Sequence, residues 1–172
     1  VGCPPPTRTV LTGRQTDGYA PGTPFNVTVL VQDGQGPPQT VPGIIESCGI
    51  HGVKAAVIIT AGFGEAGAEG AALEKDLLET ARRYNIRLIG PNCLGIMRPS
   101  IGLNATFNKG GANTGNIAFV SQSGALGEAI LADAVENGLG VAMFVSMGNK
   151  TDVSGNDLLE YWEDNADIQA IL

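Results

Sequence analysis

The sequence predicts an α/β fold, a parallel sheet with helices on both faces. Three observations carry that expectation. Short apolar runs recur along the chain, and several are apolar at consecutive positions, as strands buried on both faces require. Segments with apolar residues three and four apart lie between those runs. Glycine, serine or asparagine bounds most of them. Strands that alternate with helices in this way pack as right-handed βαβ units.

Eight of the ten prolines lie between Pro4 and Pro42, so that stretch reads as loops holding one strand, Val27 to Val31. A first helix places Val41, Ile44, Ile45 and Cys48 on one stripe, with Pro42 suited to its first turn and Gly49 to its stop. The strand Val53 to Thr60 follows. A second helix turns Leu73, Leu77, Ala81 and Tyr84 inward and Glu74, Glu79, Arg82 and Arg83 to water, ahead of the strand Ile86 to Ile89. Thr106 to Gly115 has no apolar period and many turn formers; it reads as a linker that divides the chain into residues 1–112 and 113–172. Beyond it come the strand Asn116 to Val120 and a helix with Leu126, Ile130 and Ala134 on one stripe, closed by Asn137-Gly138. The strand Val141 to Val145 leads to a helix capped by Ser154 and Asp157 and carrying Leu158, Leu159 and Trp162. Ile168 to Leu172 is the last strand.

Composition excludes several classes. With 172 residues, 43% hydrophobic and 16% charged, the chain is long and apolar enough to build a core, which a disordered tail is not. No apolar run is long enough to span a bilayer, so no membrane partner is expected. The net charge of −7, with no cluster of basic residues, argues against nucleic acid. Cys3, Cys48 and Cys93 form no CxxC pair and are too scattered for a disulfide framework, which fits a reducing compartment, the cytoplasm. The sequons at Asn26, Asn104 and Asn149 therefore read as chance. No His or Cys spacing suits a metal. The chain opens on Val1 and closes inside an apolar run, as a segment of a longer polypeptide would.

In open parallel sheets ligands sit beyond the carboxyl ends of the strands, so the informative residues follow each strand. Thr60-Ala-Gly-Phe-Gly-Glu-Ala-Gly67 satisfies GxGxxG between a strand and a helix, the form of a dinucleotide fingerprint. A nicotinamide site also needs an acid at the end of the next strand. Here that strand runs into Gly90-Pro91-Asn92, and Glu65 sets a negative charge where a pyrophosphate belongs. A contact to another ligand, or a plain turn, fits better.

The second turn is Ile89-Gly-Pro-Asn-Cys-Leu-Gly95, where Pro91 restricts the backbone and Asn92 offers amide donors and an acceptor; the same residues could form a rigid loop with no ligand. Cys93 has no histidine base nearby in sequence, since the one histidine, His51, lies in a helix-to-strand turn. In the third turn, Ser121-Gln-Ser-Gly124, serine hydroxyls and free amides at a helix start suit an anion, and an ordinary N-cap explains them equally well. The fourth, Ser146 to Asp152, brings Asn149, Lys150 and Asp152 to the same edge, either as ligand groups or as a salt-bridged loop.

Taken in order, AGFGE, RLIGPNCLGIMRP, GLNATF, GNIAFVSQSGAL and SMGNKTDV with DLLEYWEDN resemble the NDP-forming acyl-CoA synthetases, whose relatives include the succinyl-CoA ligase α subunit. The likeness runs from about Val53 to Leu172, and residues 1–52 lack the family's glycine-rich opening. The resemblance implies a partial Rossmann-like CoA-binding domain over 1–112 and the start of a flavodoxin-like ligase domain over 113–172. It implies CoA contacts at Thr60, Ala61, Gly62, Phe63, Gly90, Pro91, Asn92 and Cys93, and phosphate contacts at Ser121, Gln122, Ser123 and Gly124. The implied reaction converts acyl-CoA, NDP and phosphate to acid, CoA and NTP through an acyl phosphate and a phosphohistidine. That histidine is not matched by His51, so no catalytic residue is expected here. ATP or ADP with Mg would be held by an ATP-grasp module in cis or in trans. The same resemblance admits an acyl-CoA-sensing regulatory domain of a protein lysine acetyltransferase.

Overall fold

The computed structural model describes residues 9–14, 24–30, 37–108 and 110–172. Cys3, the loops expected in the rest of the proline-rich stretch, Val31 and Lys109 lie outside them. The described strands form two sheets. The first has the order β1 (Thr9–Arg14), β2 (Pro24–Leu30), β3 (Ala55–Ile58), β4 (Arg87–Ile89). β2, β3 and β4 run parallel, and β1 pairs antiparallel with β2. The second sheet has the order β6 (Leu103–Thr106), β5 (Gly95–Arg98), β8 (Gly140–Ser146), β7 (Asn113–Ser121), β9 (Ala170–Ile171).

Among the described residues four α-helices stand where the periodicity puts them: α1 Val41–Ile50, α2 Ala68–Arg83, α3 Gly124–Glu136 and α4 Gly155–Glu163. In the first sheet β2, β3 and β4 are adjacent in chain order, so successive right-handed crossovers leave both helices on one face. Val41 and Ile45 of α1 and Leu77 and Ala81 of α2 share one core with Ala56, Ile58 and Leu88. Among the described residues the helices of this sheet share one face, while those of the second sheet cover both, within the expected α/β class. There Leu131 of α3 packs on Phe119 and Phe144, while Leu158 and Trp162 of α4 pack on Ala118 and Val145, residues of opposite parity and so of the opposite face.

Other details depart from the sequence reading. Asn113, Thr114 and Gly115 belong to β7 rather than to a linker, pairing in part with Gly140 and Val141. The hairpin β5–β6 has no counterpart in the expected elements; it is antiparallel, and β5 also pairs antiparallel with β8. Sheet membership thus changes at residues 90–94, ahead of the segment 107–112. The buried positions of α3 are Gly127 and Leu131, and Leu126 is 55% exposed. Gly127 brings the helix against the Phe144 ring, which shifts the inward face by one residue.

The two sheets are tied by charge as well as by packing. Arg87 of β4 donates to Asp152 at 2.8 Å and to Asp157 at 3.1 Å, and Asp152 also accepts from the Leu88 amide at 2.8 Å. Asp152 therefore pairs with Arg87, and the salt-bridged loop that Lys150 and Asp152 could have formed gives way to a bridge between the halves. Hydrogen bonds from Ser154, joined by Arg87, hold the Asp157 carboxyl down at about 2. A carboxyl depressed in the folded state stabilises it above the unfolded pKa of about 3.9, and that contribution is lost as pH falls toward 2. The melting temperature should fall between pH 4 and pH 2 more steeply in the wild type than in Asp157→Asn. Equal slopes in the two melting series would refute this.

Candidate functional site

β7 leads into α3 on one face of the second sheet and β8 leads into α4 on the other, so the carboxyl ends of these adjacent strands form a topological switch point, where open α/β sheets have their ligand crevice. Ser121 ends β7 and Ser146 ends β8, and the Met147 amide donates to the Ser121 carbonyl at 2.9 Å. The loop Gly90–Leu94 from the first sheet is seated at this crevice. Its Leu94 amide donates to the fully buried Ser146 hydroxyl at 2.9 Å, and a Cβ on Gly124 would stand 3.4 Å from that of Leu94. The Asn92 amide in turn donates to the Thr60 carbonyl at 2.9 Å. All four turns singled out in the sequence thus meet at one edge.

Within that edge the residues divide by access. Ala61 and Asn92 are exposed and Thr60 and Gly62 half-buried, whereas Gly90, Pro91 and Cys93 are buried. Phe63 is fully buried, its ring part of the core with Ile45 and Leu77, so only its backbone remains at the turn. The Cys93 thiol donates to the Ile58 carbonyl at 3.3 Å, and burial pushes its pKa up to about 12. Asn92 is exposed and sits at φ 56, in the left-handed region that asparagine tolerates.

The serine turn is built as an N-cap. Ser123 Oγ accepts from the Leu126 amide at 3.3 Å, and Ser121 Oγ accepts from the Ser123 amide at 3.2 Å while donating to the Ser123 carbonyl at 2.9 Å. Gln122 and Ser123 are exposed and Gly124 is half-buried. The amides of Gly124 and Ala125 have no intrahelical acceptor, so the positive end of α3 faces the crevice.

The GxGxxG turn is different in kind. Glu65 Oε1 accepts from the amides of Gly62 and Phe63, and Glu74 Oε2 accepts from the Gly64 amide at 2.8 Å. The donors that a pyrophosphate would use are therefore already held by carboxylates. Burial alone would raise the Glu65 pKa, but bonds from Asn149, Gly62 and Phe63 outweigh it and hold the carboxyl below its usual value. Glu74, expected to face water, instead reaches across to the second half, accepting from Asn149 at 2.8 Å and from the Thr151 hydroxyl. Helical spacing marks such a residue as outward, and only the tertiary contact shows what it meets.

These features define a chain of two α/β parts whose strand-end turns meet at one edge, and family comparison gives its class. Residues 15–99 match a CoA binding domain and residues 114–172 a succinyl-CoA ligase like flavodoxin domain. The chain belongs to the NDP-forming acyl-CoA synthetase family. It is 47% identical over 134 residues to acetate–CoA ligase (ADP-forming) I of Archaeoglobus fulgidus, a match covering 77% of this chain and 20% of the relative. It is 48% identical over 135 residues to the α subunit of acetate–CoA ligase (ADP-forming) II of Pyrococcus furiosus, covering 78% and 29%. Among solved structures, acetyl-coenzyme A synthetase 1 of Ca. Korarchaeum cryptofilum, in complex with phosphate and ADP, superposes with a TM-score of 0.76 at 40% identity, over 84% of this chain and 30% of that one. The chain thus spans between a fifth and a third of the length of these relatives.

With its pKa near 12, Cys93 has roughly one thiolate in ten thousand at pH 8. It should resist iodoacetamide in the folded protein and react promptly in denaturant, as mapped by peptide mass; fast labelling of folded Cys93 would contradict this placement.

Proposed function

We propose that this chain is the CoA- and phosphate-handling part of an NDP-forming acyl-CoA synthetase. The observation that carries the reading is the meeting of the Thr60, Gly90 and Ser121 turns at the crevice between β7 and β8. CoA lies against Thr60, Ala61, Gly62 and Asn92, with the backbone of Phe63, Gly90, Pro91 and Cys93 shaping the wall. Phosphate lies at the start of α3, where Ser121 and Ser123 supply hydroxyls and Gly124 and Ala125 supply amides. Gln122 lies beside them, exposed.

In the proposed reaction a phosphate oxygen attacks the thioester carbonyl. The C–S bond breaks, CoA leaves as a thiolate and takes up a proton, and an acyl phosphate remains. Its phosphoryl group passes to a histidine, which releases the acid, and then to the NDP. Oriented amides and hydroxyls at a helix start stabilise the charge that develops on phosphate oxygens in such transfers. His51 caps α1 at the amino end of β3, and its Nδ1 lies 2.8 Å from the Ser47 carbonyl, which supports a phosphorylated histidine outside this chain. ADP or ATP with Mg belongs to an ATP-grasp module in cis or in trans; the α-subunit organisation of the Pyrococcus furiosus relative supports that division. The Cys93 thiol, reduced and buried against the Ile58 carbonyl, fits the cytoplasm. Among the described residues no helix is long and apolar enough to cross a membrane.

Two outcomes test the reading. Calorimetry should give saturable binding of CoA and none of NAD, because carboxylates hold the GxGxxG amides; NAD binding without a CoA response would overturn it. In the full-length enzyme Ser123→Ala should reduce phosphoryl transfer about tenfold to a hundredfold, since a hydrogen bond to a charged group contributes roughly 1.5–3 kcal/mol. Loss of the cap costs the fold only about 1 kcal/mol. Normal turnover in this variant would leave Ser123 as a cap alone.

A further inference from the structure

The loop Ser146–Asp152 follows β8, yet its side chains engage the first sheet more than the second. At its centre Asn149 uses both ends of its side-chain amide and its backbone N–H. Its Nδ2 donates to Glu65 at 2.6 Å and to Glu74 at 2.8 Å, its Oδ1 accepts from Asn92 Nδ2 at 3.3 Å, and its backbone amide donates to the Pro91 carbonyl at 2.9 Å. Glu65 holds the amides of Gly62 and Phe63, so a single residue reaches both CoA-facing turns.

We infer that Asn149 is the positioning residue that holds the Thr60–Glu65 turn and the Gly90–Leu94 loop in place against the second sheet. The inference rests on the reading that these two turns face CoA. The chemistry at this point admits few side chains. Two carboxylates can only accept, so the group between them must donate twice, and Asn92 presents a donor, so the same group must also accept. A primary amide meets all three demands without adding charge. Lysine would donate to both carboxylates but could not accept from Asn92. Aspartate, with the same shape, could accept from Asn92 but would bring a third carboxylate against Glu65 and Glu74. The orientation of the amide follows from its neighbours, with nitrogen toward the carboxylates and oxygen toward Asn92.

Glu65 makes the relation reversible by design of experiment. Its Oε1 serves the Gly62 and Phe63 amides and its Oε2 serves Asn149. The amide introduced by E65Q keeps an oxygen for the turn and can donate to the carboxylate introduced by N149D, which restores one of the two lost bonds with donor and acceptor exchanged.

The test compares wild type, N149A, N149D and E65Q/N149D by amide hydrogen exchange and by CoA calorimetry. Exchange at Gly62, Phe63, Gly64 and Asn92 should speed about tenfold in N149D and less in N149A, with Phe119 and Phe144 in the strands unchanged. The double variant should recover much of the protection. CoA affinity should follow the same order, falling roughly tenfold in N149D and partly returning in E65Q/N149D, while inorganic phosphate binding stays at its wild-type value. A purely space-filling asparagine predicts that N149D matches wild type. That result, or a double variant no better protected than N149D alone, overturns the inference, and the second criterion applies even if N149D loosens the whole fold. Wild type that binds no CoA would instead overturn the reading of the turns, and the exchange comparison would still decide the role of Asn149.

Discussion

The seating of the Gly90–Leu94 loop at the crevice between β7 and β8 is the constraint on which the rest of the structure depends. Two close backbone approaches allow it. A Cβ on Gly90, at φ 96, would lie 2.3 Å from the Ile58 carbonyl oxygen, and one on Gly148, at φ 55, would lie 2.1 Å from that of Pro91. Glycine at both positions lets the loop approach β3 on one side and the β8 turn on the other. The Thr151 amide then reaches the Gly90 carbonyl at 3.2 Å and the Val153 amide the Leu88 carbonyl at 3.2 Å, so the second half runs alongside β4. Ile89 joins the apolar cluster under α4, and Ile59 packs with Ala105 and Leu103 of the hairpin. The sheets are thereby fused through the residues that carry the candidate site.

Two kinds of turn result from the same sequence habit of glycine after a strand. At Gly62–Gly64 the amides are spent on Glu65 and Glu74, which makes the turn rigid and closed to further anions. At the start of α3 Ser123 serves the Leu126 amide, and the two preceding amides remain available along the helix axis. The chain carries a net charge of −7, so an anion finds favourable potential only where such local dipoles are concentrated. In the proposed arrangement the Thr60 turn therefore meets uncharged parts of CoA and not its phosphates, and the helix start meets the free phosphate.

The hairpin β5–β6 shows how nonlocal pairing escapes a pattern reading. Gly95 to Thr106 contains alternating apolar residues, but so short a run cannot declare whether its partner is parallel or antiparallel, or which sheet receives it. Its pairing with β8 is set by the path of the Gly90–Leu94 loop, which delivers β5 to the second sheet. The inward face of α3 escaped for a related reason, since a glycine counts for nothing in an apolar stripe and yet admits the Phe144 ring.

What the sequence determined by itself is local chemistry. Strand and helix alternation, the inward faces of α1 and α2, the capping box of Ser154 and Asp157, the N-cap at Ser123 and the turns that follow each strand were all legible, because each depends on residues within a few positions of one another. The likeness of five ordered motifs carried the family. Tertiary structure alone decided which of those turns touch, that Phe63 and Cys93 are buried, and that Asp152 answers Arg87. It also alone brought Glu74 and Glu65 together on Asn149, 75 and 84 residues along the chain. Such pairings follow from how two sheets dock, and no periodicity within either segment encodes them.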